Sequence, residues 1–202
     1  MSSLRDVRTD ISQTKSYADE PTIKTIAHWG ETTSNFRVKE SVLRNESQWF
    51  QDKLNAFSLT CPRIIHLPSH SETAVSTHLN LIGDAALPVI GTNNQCNVLL
   101  QVYSLTSIVG GPRTRNLAMQ AIIAYFKGGA ELPGSIQVSQ LYLWTDVSSP
   151  LRRLIVYMFA RKAPAAWFTR PSFIVHPDFL VDYVAQMTQC RDSSVSGWRR
   201  CF

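Results

Sequence analysis

Strand-like patterning in this chain ends before residue 70, and from Cys96 onward the apolar residues recur on a helical period. Thr22 to Trp29 carries Ile23, Thr25, Ile26 and Trp29, the branched and aromatic types that suit a pleated strand. Gly30 to Asn35 is turn material, and Phe36-Arg37-Val38 alternates again, so the two segments predict a hairpin. Arg63 to Leu67 predicts a short third strand, stopped by Pro68. Strands gathered near one end and helices thereafter imply an α+β fold with segregated strands.

The helical segments are punctuated by residues that stop helices. Asn45 is positioned to cap a helix from Glu46 to about Asn55, with Trp49, Phe50 and Leu54 on one face. Ser71 opens a second, through Ala74, Val75, His78, Leu79 and Ile82, and Gly83 closes it. Residues 84–95 read as a loop. Val98 to Ile108 is broken by Gly110-Gly111-Pro112, and Arg113 to Lys127 by Gly128-Gly129. Ile136 to Thr145 follows. Ser149-Pro150 then starts a helix whose Leu151, Leu154, Ile155, Met158 and Phe159 form an amphipathic stripe. Pro177 to about Met187 is the last periodic stretch.

Composition narrows the class. At 44% hydrophobic and 10% aromatic, the chain has enough apolar material to bury a core. No apolar run approaches the roughly 18 to 20 residues that span a bilayer, and Met1 to Glu20 lacks the apolar stretch of a signal peptide. Four scattered cysteines, with no C-x-x-C pair, predict reduced thiols and an intracellular protein of cytoplasm or nucleus. The +5 net charge is uneven. Residues 1–149 carry 12 basic and 12 acidic side chains, and residues 150–202 carry 8 and 3. A basic end attracts nucleic acid or chromatin, which is the alternative function for this chain. The arginines are spread over helices and a tail instead of forming one run, so nucleic acid is not the expected partner.

Chemistry-bearing patterns are sparse. His66-x-x-x-His70 has metal spacing, but Pro68 breaks the helix it would need, so no metal or cofactor is expected. No phosphate loop or nucleophile elbow occurs, and the chain does not read as an enzyme. Asn45-Glu46-Ser47 matches a glycosylation acceptor, with helix capping the better use in a cytosolic chain. Trp49 and Trp144 read as core, and Trp198 beside Arg199-Arg200 as a spare aromatic or a partner anchor.

Phe36-x-Val38-x-x-x-x-Leu43-x-x-x-Ser47-x-x-Phe50 resembles, without a gap, the opening motif of BTB/POZ domains. Ile64-Ile65-His66-Leu67-Pro68 is similar to that family's next strand, and Ser71 to Ile82 to the helix after it. Leu100-x-x-Tyr103-x-Leu105, Arg115-Asn116-Leu117-Ala118-Met119, Ser149-Pro150-Leu151-Arg152-Arg153-Leu154 and Pro177-Asp178-Phe179-Leu180 resemble stretches of fungal members. The family's His-Lys pair is Lys39-Glu40 here, and Thr106-Ser107-Ile108 stands where Ala-Asp-Lys is usual.

The resemblance implies a protein–protein interaction module. Its partner would be itself or another BTB protein, and in one version it is a substrate adaptor for a cullin ubiquitin ligase. It implies a lead-in at 1–20, the BTB/POZ-like domain at 21–129, a helical extension at 130–188 and a basic tail at 189–202. The residues it points to for interaction are Ile23, Ile26, Phe36, Val38, Leu43, Trp49 and Phe50 in the hairpin and first helices. Tyr103 and Leu105 join them from the helix Gln95 to Val109.

Overall fold

The structure is a computed structural model and describes residues 21–57, 62–83, 94–129, 131–169 and 174–195. The lead-in, residues 84–93 of the loop, Cys61, and the chain end with Trp198 and Cys201 lie outside the described residues.

The hairpin forms with a shorter turn than composition predicts. β1 (Thr22–Trp29) pairs antiparallel with β2 (Thr32–Lys39), and Trp29 faces Thr32 directly. Only Gly30 and Glu31 remain in the turn, with Gly30 at φ +58°, a conformation that glycine adopts without Cβ strain. Thr32 to Asn35 reads as turn by residue type. Each of these residues nevertheless has a partner in β1, and ladder pairing outweighs the local preference. β3 (Ile64–His66) lies parallel to β1, giving a mixed sheet of order β2-β1-β3.

Two helices separate β2 from β3: α1 (Glu40–Glu46) and α2 (Gln48–Asn55). The cap falls at Ser47, extended at φ −160° and ψ 159°, whose hydroxyl accepts from the Phe50 N–H at 3.4 Å. Asn45 lies inside α1 and caps nothing, because the chain is already helical from Glu40. α3 (Glu72–Ile82) has the expected ends: Ser71 accepts from the Ala74 N–H, and the Gly83 N–H donates to Leu79. α4 (Gln95–Val109) stops at Gly110, where φ is +81°, and α5 (Pro112–Lys127) begins on proline. Then come α6 (Ser135–Trp144), α7 (Pro150–Lys162), the single turn α8 (Ala165–Phe168) and α9 (Pro177–Val195). α9 runs eight residues past Met187, where its apolar period ends. Extension of an existing helix needs no fresh nucleation. Among the described residues no helix is long and apolar enough to cross a membrane.

The fold comprises two compact units, one up to Ala124 and one from Tyr125. In the first, the inner face of the sheet (Ile23, Ala27, Phe36, Ile65) packs with Leu43, Phe50 and Leu54 of α1 and α2. Val75 and Leu79 of α3 and Leu105 and Val109 of α4 complete this core. α4 is buried at every residue from Val98 to Thr106. Buried on all sides, with Gln101, Ser104 and Thr106 among its apolar residues, α4 is the central strut of this unit. The second unit packs α6, α7 and α9 through aromatic rings. Phe159 meets Trp167 at 4.8 Å and Phe179 at 5.1 Å, and Tyr142 meets Phe179 edge-on at 5.7 Å.

Candidate interaction site

The joint between α1 and α2 is fixed from a distance. Besides capping α2, the Ser47 hydroxyl donates to the Val109 carbonyl in the last turn of α4, where carbonyls lack helical partners. Gly111 makes room for the same joint. A Cβ there would fall 1.7 Å from Glu46 Oε1, so the two helix junctions touch because residue 111 has no side chain. Burial raises the pKa of the Glu46 carboxyl, opposed by the nearby Thr114 hydroxyl and the Arg113 charge. Glu40 is in the opposite situation. Arg63 at 2.7 Å above all, with Arg44 at 2.7 Å, holds its carboxyl below the usual range.

Beneath α3 and α4 lies a buried polar cluster. His70 Nδ1 is 3.3 Å from the Pro68 carbonyl, which only accepts, so Nδ1 carries the proton and Nε2 accepts from the Ser104 hydroxyl at 3.1 Å. Burial lowers the pKa of His70, and the Pro68 carbonyl opposes this. His78 is fully buried and neither ring nitrogen has a hydrogen-bond partner. Burial, with the neighbouring His70, pushes its pKa down to about 3. Both imidazoles are therefore neutral near pH 7. Among the described residues no group of three His, Cys, Asp or Glu side chains could hold a metal ion.

The outer face of the sheet has a different character. Lys24 and Arg37 stand directly opposite each other, as do Ile26 and Asn35, and Thr22 and Lys39. His28 accepts or donates at Thr33 Oγ1 (3.1 Å) and lies 3.4 Å from His66 across the β1–β3 pair. The half-buried Ile26 is thus ringed by cations and imidazoles.

The nine residues expected to mediate interaction separate by depth. Ile23, Phe36, Leu43, Phe50 and Leu105 meet in the core of the first unit, with Val38 and Trp49 half-buried against them. Tyr103 is buried on α4, outside that cluster, and Ile26 is half-buried on the opposite face of the sheet. In this single chain the half-buried three, Ile26, Val38 and Trp49, are those with surface to offer. Trp49 packs edge-on against Phe50 at 5.0 Å, with the Lys53 ammonium 5.6 Å from its ring centre.

Sequence reading missed the Ser47 tie, the His28–His66 pair and, in the second unit, Arg152. Its guanidinium, 4% exposed, donates to Thr145 Oγ1 and to the carbonyls of Tyr142 and Thr145. It also lies 4.3 Å from the Tyr142 ring centre and 3.9 Å from Asp178. The one available signal was an arginine beside the apolar stripe of α7, which a solvent-facing residue would give equally well. No protein-family model matches this chain, and no curated protein or solved structure matches it.

Proposed function

We propose that the chain is a protein–protein interaction module of BTB/POZ type, pairing with a second copy or with another BTB protein. The supporting observation is the gathering of the spaced motif into one structural device. Phe36, Leu43 and Phe50 converge in one core, and Ser47 is the hinge between the two helices that carry them. The element order in the first unit, a hairpin, a helix pair, a strand and then helices, is the order that the resemblance implies.

The mechanism makes and breaks no bond. A two-fold interface buries the same patch of each copy against its counterpart, and a stable one covers about 800 Å² per partner. Val38 and Trp49 supply apolar surface continuous with the core, so the contact would extend packing already present in each monomer. In the version with a wider role, the module recruits substrates to a cullin ubiquitin ligase.

Light scattering over a dilution series tests the pairing. A concentration-dependent dimer, weakened by Trp49→Glu, is expected, and a strict monomer at tens of micromolar overturns it. Affinity capture from the cell lysate then separates the roles. A cullin with ligase subunits supports the adaptor, and BTB proteins alone support a scaffold.

A further inference from the structure

We propose that the free edge of β2 is a docking strand for an extended acidic segment of a partner protein. This docking does not rest on the pairing of two copies. The Glu40 N–H donates to the Pro21 carbonyl at 3.0 Å, one step beyond the Thr22–Lys39 pair. Antiparallel pairs alternate between bonded and unbonded, so Val38, Phe36, Ser34 and Thr32 direct their backbone groups to β1. The N–H and C=O of Thr33, Asn35 and Arg37 therefore point away from the sheet. Among the described residues no strand lies beyond β2; Thr33 and Arg37 are exposed, and Asn35 between them is buried. An added strand would meet outward donors and acceptors at regular spacing, open at Thr33 and Arg37, the basis of β-augmentation.

Charge selects the occupant. An open edge ordinarily invites a second copy of the same strand. Here such pairing would gather Lys24, Arg37 and Lys39 of both copies on one continuous face. Lys24 and Arg37 already oppose each other within one chain, an arrangement that destabilises a strand pair. Neither side chain has an ion-pair or hydrogen-bond partner among the described residues. Glu40, the first residue of α1 just after that strand, is held by Arg63 and Arg44. The cations that repel a like strand would attract one with carboxylates at alternate positions, each lying over the Lys24–Arg37 face.

The test uses the full chain and two short labelled peptides, one alternating aspartate with threonine and one alternating lysine with threonine. Fluorescence anisotropy should show the aspartate peptide binding with Kd tighter than about 1 mM, more weakly as salt rises, and the lysine peptide not binding. Arg37→Glu should weaken the aspartate peptide by roughly fivefold. Thr33→Pro, which removes one outward donor and no charge, should weaken it too. Proline is tolerated at an edge position whose N–H faces outward. Amide hydrogen exchange on the complex should slow at Thr33, Asn35 and Arg37. Peptide binding without slowing at those three amides would overturn strand addition, as would no binding at all. Slowing that grows with protein concentration and no peptide would make the second copy the occupant and equally overturn it.

Discussion

The two units solve the same problem with different chemistry. The first closes mainly on non-directional apolar burial: a sheet face, α1 to α3 and the fully buried middle of α4 share one core. The second closes on aromatic rings and one cation, with Arg152 collecting the carbonyls that end α6 and lying close to Asp178 on α9. It also leaves large apolar side chains outside, including Val181 at 67% and Val184 at 60% exposure on α9. Apolar burial is non-directional and tolerates many arrangements, whereas a guanidinium fork accepts few. The first unit should therefore fail through lost volume and the second through lost geometry.

Five substitutions at four positions probe that contrast, and the largest effect is expected in the first core. Phe50→Ala removes a fully buried ring and should destabilise by about 4 kcal/mol in urea denaturation. Arg152→Met should cost roughly 3 kcal/mol, because the carbonyls of Tyr142 and Thr145 lose a buried donor. Arg152→Lys should not restore the loss, since one ammonium cannot reproduce the planar fork. If lysine rescues fully, the second unit depends on charge and not on shape.

His78→Leu should stabilise by about 2 kcal/mol at neutral pH, because two buried nitrogens without partners are removed. The pH dependence has a definite sign. The folded pKa of His78, about 3, lies below its unfolded value, so its contribution is complete above about pH 6.5 and is lost as pH falls toward 3. Denaturation at stepped pH should show this slope flattened in His78→Leu, and an unchanged slope would assign the acid sensitivity to other groups. The smallest change belongs to Val184→Ser, within about 0.5 kcal/mol, as expected for an exposed position. A loss near that of Phe50→Ala would mean that α9 is covered in solution.

Much of the first unit was legible because its signals are local. Ser71 and Gly83 bound α3 as read, and Gly110 and Pro112 separate α4 from α5, since caps and breakers act through neighbouring backbone. The candidate interaction residues were less legible. Phe50 and Trp49 are adjacent apolar residues of α2, yet one is fully buried and the other half-buried, and periodicity ranks them alike. The helix predicted from Glu46 starts two residues later, at Gln48, for a related reason. Asn45 and Ser47 are both good caps, and a contact with Val109, 62 residues away, selects Ser47.

From the order of its residues alone, this chain determined that strands come first and helices after, which residues bound α3 and where α4 gives way to α5. Those choices depend on φ/ψ preference and on hydrogen bonds a few residues long. Tertiary structure decided which apolar side chains disappear, that β3 lies parallel to β1, and that Arg152 turns inward. Among the described residues it also set β2 at the end of the sheet, with no strand beyond it. Each of these depends on which distant segment arrives alongside, and that is settled by burial and pairing across the whole core, beyond the reach of any local pattern.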